Sequence, residues 1–164
     1  MLWVQVIVEA MASEASENHS QALEASIQAV RYLKPASRMA IQVLLIRGEI
    51  FWGYHDMIDA LAYLHEASGK ALASHSYMQQ IYALIDIGNI YFDEFRFDSS
   101  PYCYQKALTT PGFPADSDLK ENSYVNIGNV YVVEKRLELG KKYILKALAI
   151  GIDKNMKGVL PLLL

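Results

Sequence analysis

The sequence is short of the features that announce a chemistry. Its 164 residues hold one cysteine, Cys103, so no disulfide forms within the chain and a reducing, cytoplasmic setting is expected. No run of Lys or Arg exceeds two residues, and the formal net charge is −3. Phosphate backbones are bound through a basic face, so nucleic acid is not an expected partner. No window approaches the roughly 18 unbroken apolar residues of a membrane-spanning helix. The apolar run from Leu2 to Val8 lacks a basic flank and is followed by Glu9 and Glu14, unlike a signal peptide. Prolines number five, and they punctuate the chain.

Catalytic constellations are missing too. His55, His65 and His75 stand ten residues apart, which is neither a helical period nor a metal-ligand spacing. Cys103 lies between Tyr102 and Tyr104 and reads as a small core residue. There is no phosphate-cradling glycine loop and no nucleophile elbow. Asp and Glu are scattered on solvated faces, so no enzyme activity, cofactor or metal is expected.

What the chain does have is helix and period. The apolar content is 52% with 20% charged residues, the balance of a folded chain. Residues 2–12 read as a helix or its remnant, and 18–33 as a second that Pro35 stops. Ser37 caps a helix over 38–53, Gly53 ends it, and Asp56 caps its partner from Ile58 to Ala67. Two further pairs follow, at 75–94 with 98–109 and at 118–135 with 138–151. Asp98 or Ser99 caps the shorter helix of the first pair, and Asp118 with Glu121 has capping-box spacing at the second. Another helix opens near 155. No segment has strand composition bounded by turn signals, so the expected class is all-α.

The stretch Ile87-Gly88-Asn89-Ile90-Tyr91 returns forty residues later as Ile127-Gly128-Asn129-Val130-Tyr131. Lys106-Ala107-Leu108 returns at the same spacing as Lys146-Ala147-Leu148. A fixed period of this size marks a repeat array. With units starting at 41, 81 and 121, position 8 holds Gly48, Gly88 and Gly128, and position 20 holds Ala60, Ser100 and Gly140. Position 27 holds Ala67, Ala107 and Ala147. Position 11 is aromatic (Phe51, Tyr91, Tyr131), while positions 4 and 24 are large (Leu44, Leu84, Tyr124; Leu64, Tyr104, Ile144). A glycine inside a helix costs about 1 kcal/mol relative to alanine. Three of them make sense where a missing side chain lets helices approach closely.

This pattern resembles the tetratricopeptide repeat over residues 41–152, and weakly over 16–36. The resemblance implies a right-handed superhelical solenoid of antiparallel helix hairpins: a divergent leading hairpin at 1–35, repeats at 41–74, 81–114 and 121–154, and the start of another at 155–164. The chain departs from the family in its 40-residue pitch, against about 34, in Arg47 at position 7, and in Leu72, Gly112 or Ile152 at position 32. The longer pitch resembles arrays in bacterial signalling proteins, including transcriptional activators and the sensory regions of histidine kinases and diguanylate cyclases. A further unit would start at 161, so the apolar Val159-Leu160-Pro161-Leu162-Leu163-Leu164 falls where its first helix belongs. Terminal repeats normally carry a polar cap, and the expectation is a longer protein continuing past Leu164.

In such arrays the first helices of the hairpins line a concave groove through positions 2, 5, 6, 9, 12 and 13. The groove set includes Glu49 and Trp52, then Tyr82, Asp86, Asn89 and Phe92, then Asn122, Asn126 and Asn129; Leu45 and Ile46 fall at the same positions. The asparagines are the informative part, because asparagine is a mediocre helix former and an amide both donates and accepts. A ladder of them pairs with the main chain of an extended peptide, or the amides bond to one another between hairpins and hold the stack. Trp52, Tyr82 and Phe92 are either anchors for a partner or padding between hairpins. Position 5 of the second unit is Ile85 and position 2 of the third is Asn122, so the basic clamp for a carboxylate tail is missing. The expected function is a protein-interaction module binding a peptide or helix. The alternative is a sensory or regulatory region controlling a downstream output domain, and self-association through terminal hairpins is a further expectation.

Overall fold

The computed structural model of the protein describes residues 19–30, 33–34, 37–114 and 118–159. They form seven α-helices: α1 His19–Val30, α2 Arg38–Gly53, α3 Met57–Ala73, α4 Tyr77–Asp93, α5 Ser99–Leu108, α6 Asp118–Val133 and α7 Leu137–Val159. No strand occurs among the described residues, and none of these helices is long and apolar enough to cross a membrane. Each helix packs on its neighbours in the chain, and α2 also packs on α4. The three-residue connection 54–56 between α2 and α3 leaves an antiparallel hairpin as the available geometry, and α4/α5 and α6/α7 follow suit.

Local chemistry sets the ends. Ser37 Oγ accepts from Ala40 N at 3.2 Å, and Asp56 Oδ1 from Asp59 N at 3.2 Å. Asp98 Oδ1 accepts from Ser99 N at 2.8 Å. Asp118, expected as a cap, is itself the first residue of α6, and it shares the first turn with Glu121; both carboxylates there favour the positive end of the helix dipole.

The C-termini of α2, α3, α4 and α6 close without a glycine at the left-handed position. Backbone N–H groups of His55 and Asp56 donate to Trp52 O and Phe51 O, both at 2.9 Å. The same pair of bonds forms from Phe95 and Arg96, from Lys135 and Arg136, and from His75 and Ser76. This is the Schellman arrangement, which satisfies carbonyls that the helix end would leave unpaired. It needs a left-handed residue, and φ is 60° at His55, 54° at His75, 58° at Phe95 and 60° at Lys135. Histidine tolerates that region better than most side chains. His55 and His75 therefore have a turn role, and the left-handed position falls two residues beyond Gly53, the last residue of α2.

The core is built around the position-8 glycines. A Cβ on Gly48 would lie 2.5 Å from Leu64 Cγ, on Gly88 2.8 Å from the Tyr104 ring, and on Gly128 2.7 Å from Ile144 Cγ1. In each hairpin the glycine thus gives up its side chain to the large residue at position 24. Ser100 Oγ, buried, donates to Gly88 O at 2.8 Å and pins the second hairpin's crossing. Ala67, Ala107 and Ala147 are all buried, and Ala67 packs with Ala83 and Ile87 of the following hairpin.

Two expectations need correction. The second helix of the last hairpin does not stop near 151 with another opening near 155: α7 runs unbroken to Val159, with Gly151 carried inside it and no proline along its length. Leu45 and Ile46 do not face a groove; both are 1% exposed and belong to the core, since α1 and α3 cover that side of α2. Arg47, out of place in the repeat, reaches α1 instead, where its Nε donates to the buried Ser26 Oγ at 3.0 Å. The helix expected at 2–12, the Pro35 stop and the run at 160–164 lie outside the described residues. On α7, Leu145, Leu148 and Ile152 are each more than half exposed.

Two substitutions check this account. Gly88→Ala gains about 1 kcal/mol of helix propensity but overpacks Tyr104 at a cost of about 1–3 kcal/mol. Net loss of about 1 kcal/mol is expected, with a melting temperature lower by roughly 2–4 °C; an unchanged or higher value would refute the close crossing. Lys135→Gly removes left-handed strain and should stabilise by about 0.5–1 kcal/mol, read as a raised urea midpoint.

Candidate functional site

The first helices α2, α4 and α6 bring one cluster of polar and aromatic side chains together. Trp52, Asn89, Phe92, Asp93, Tyr104, Asn126 and Asn129 line a cleft of about 180 Å³. Helical spacing explains the membership: Asn89, Phe92 and Asp93 are three and four residues apart on α4, hence on one face, and Asn126 and Asn129 repeat that spacing on α6.

Asn89 is the hub. Its Oδ1 accepts from the Tyr104 hydroxyl at 2.7 Å and from Asn126 Nδ2 at 3.2 Å. The first bond ties α5 to α4 within a hairpin, and the second ties α6 to α4 between hairpins. Across the other wall, Trp52 Nε1 donates to Asp93 Oδ2 at 2.9 Å, which joins α2 to α4. Phe92 is held edge-on against Phe97, ring centres 5.7 Å apart. Asn129 is exposed and, among the described residues, its amide makes no hydrogen bond. The cleft is thus a braced ring of side chains with one uncommitted amide at its rim.

Burial pushes the Tyr104 hydroxyl up to about 12, against smaller opposing effects of hydrogen bonds to Ser100 and Asn126. Its proton is therefore firmly held for donation to Asn89 at neutral pH. Burial likewise pushes the Cys103 thiol up to about 11, consistent with a 6% exposed packing residue. His65 Nε2 lies 3.2 Å from the Tyr91 hydroxyl; its pKa is lowered by burial, then by Lys106 and Arg96, so the ring is neutral at pH 7. No cluster of three metal-ligating side chains occurs among the described residues.

Of the nine residues singled out from the sequence, Trp52, Asn89, Phe92, Asn126 and Asn129 meet in the cleft. Glu49 and Asp86 line an adjoining shallow depression that shares Trp52. Tyr82, 42% exposed, and the exposed Asn122 line neither. Tyr104 joins the cleft although its place in the repeat predicts only a space-filler. One signal was there: position 24 is Leu64 and Ile144 in the other units, so the second unit alone gives that filler a hydrogen-bonding tip.

No family model and no curated protein matches the chain. Among solved structures it is similar to BtubC (BKLC) from P. vanneervenii, with a TM-score of 0.82 and 17% sequence identity. The match covers 94% of this chain and 65% of that one, so the chain spans a little under two thirds of that protein's length. At that identity the likeness is one of fold, and it agrees with the all-helical class.

Tyr104→Phe tests the hub. At pH 7 it should cost about 1 kcal/mol for the lost bond to Asn89. The wild-type tyrosine is harder to ionise folded than unfolded, where it titrates near about 10. Its contribution is full below pH 10 and is lost as pH rises through about 12. Stability measured by urea from pH 9 to 12 should therefore fall more steeply for wild type than for the variant; parallel curves would refute the buried, donating hydroxyl.

Proposed function

We propose that the chain is a tetratricopeptide-type superhelical stack whose first helices bind an extended peptide segment of a partner protein. The observation that carries this reading is the braced cleft with its single spare amide. Its volume, about 180 Å³, is below the roughly 300–1,000 Å³ of small-molecule pockets and suits one inserted side chain. Trp52 and Phe92 flank it as apolar walls, and aromatic walls are where interface energy concentrates. Asn129 at the rim bonds a peptide group beside the inserted side chain, since an amide matches both N–H and C=O. Asp93 on the same rim favours a neutral or basic neighbour over an acidic one.

The division of labour among the asparagines makes the reading testable. Asn89 and Asn126 spend amide atoms on the stack, so their loss mixes folding with binding. Asn129 does not. Peptides selected from a random display library against the immobilised chain should bind Asn129→Ala about tenfold more weakly, the equivalent of about 1.4 kcal/mol, with an unchanged melting temperature. Asn89→Ala should lose both stability and binding. Failure to enrich any peptide, or affinities indifferent to Asn129 and Trp52, would overturn the proposal.

A further inference from the structure

The repeat contains its own control experiment at position 23, which holds Tyr63, Cys103 and Tyr143. In the first hairpin the Tyr63 ring stacks on Phe51, the position-11 aromatic, with centres 5.4 Å apart. In the third, Tyr143 packs on Tyr131 at 5.6 Å. In the second hairpin position 11 is still aromatic, Tyr91, but position 23 is Cys103, and the ring nearest Tyr91 is the imidazole of His65 from α3, tilted with centres 6.5 Å apart. A cleft of about 570 Å³ opens there between α3, α4 and α5. It has the size of a small-molecule pocket.

The surroundings of Tyr143 show what that space is furnished for. The Lys146 ammonium lies 4.9 Å from the Tyr143 ring centre, and Gln105 Nε2 donates to the Tyr143 hydroxyl at 3.3 Å. One unit earlier, the same positions are Lys106 and His65, and both line the cleft. Arg96 lies 4.1 Å over Tyr91 just as Arg136 lies 4.7 Å over Tyr131, so the cationic cover of the position-11 ring is kept as well. The cation, the aromatic and the polar group that surround Tyr143 thus have counterparts lining this cleft, while position 23 supplies no tyrosine ring.

A second, independent observation lies in the wall. Gln80 lines this cleft and is only 5% exposed. Its Oε1 is buried without a hydrogen-bond partner. Buried polar groups are nearly always paired, and the equivalent residue of the first unit, Ala40, is buried with no polar group at all. An amide at that place adds bonding capacity that the stack does not use.

We propose that this cleft binds a small planar aromatic molecule bearing one hydrogen-bonding substituent, its ring taking the place that Tyr143 takes in the following hairpin. The ring packs against Tyr91 with the Lys106 ammonium at its face, an arrangement favourable to cation–π attraction. Leu72, Leu84 and Ile87 supply the apolar wall. The substituent meets Gln80, the spare amide, and His65 through Nδ1, the ring nitrogen that does not face the Tyr91 hydroxyl. This site is separate from the α2–α4–α6 cleft and does not depend on the peptide reading.

The probe is p-cresol, the tyrosine side chain as a free molecule, with 4-methylcyclohexanol as its saturated counterpart. Saturation-transfer NMR on the full chain should show saturable p-cresol binding in the millimolar range and at least fivefold weaker binding of the alcohol. Cys103→Tyr supplies the ring from within, so it should weaken p-cresol at least tenfold while the melting temperature holds or rises. Lys106→Ala, at an exposed position, should weaken it severalfold whether or not Cys103→Tyr folds. No saturable binding to wild type, equal binding of the alcohol, undiminished binding to a folded Cys103→Tyr, or indifference to Lys106→Ala would each overturn the proposal.

Discussion

Everything in this structure depends on how closely the two helices of a hairpin approach. Gly48, Gly88 and Gly128 allow it, because Leu64, Tyr104 and Ile144 occupy the volume where a Cβ would stand. The glycines cost helix propensity, and the cost is offset by burial of the large side chain against bare backbone. In the second hairpin the approach brings the Tyr104 hydroxyl within 2.7 Å of Asn89, and that contact becomes the hub of the candidate site. Packing and site are therefore one construction.

The same contact limits what the site has to offer. A polar group in a half-buried cleft gains from being paired, and Asn89 Oδ1 is taken up by α5 and α6 before any partner arrives. Of the two roles open to the asparagine ladder, bracing is the one visible for Asn89 and Asn126, which bond to each other across hairpins. In the proposed function, binding falls to Asn129, the Trp52 and Phe92 rings, and the small volume between them.

The second hairpin is also where the repeat is least regular. Tyr104 replaces an aliphatic filler, Cys103 replaces a tyrosine, and Gln80 stands where the first unit has Ala40. A repeat stack tolerates such changes because each hairpin contacts mainly its neighbours, so a local change of volume stays local. One substitution adds a polar tip on the face shared with the first helices, and another opens a cleft on the side of α3 and α5. Irregularity within a regular array gives this chain both of its candidate sites.

How much was legible beforehand follows from the range of each interaction. Helices, caps and the 40-residue period were readable because they rest on residues a few places apart: Ser37, Asp56 and Asp98 cap as their spacing required, and glycine at position 8 announced a close crossing. Left-handed closure at His55, Phe95 and Lys135 was not readable, since local preference favours glycine there and the following connection overrides it. The continuous α7 was not readable because Gly151, of a residue type that often ends a helix, is carried inside this one. Five of nine chosen site residues converge in the cleft, but which amides are spent and which spare depends on groups 15 and 37 residues away in sequence. The sequence by itself determined that the chain is all-helical and that it carries a 40-residue period, because periodicity is a local, repeated pattern. Only the tertiary structure decided that Tyr104 joins the site, that Leu45 and Ile46 leave it, and that the place of Tyr143 is empty one unit earlier, because side-chain partners across helices are set by packing.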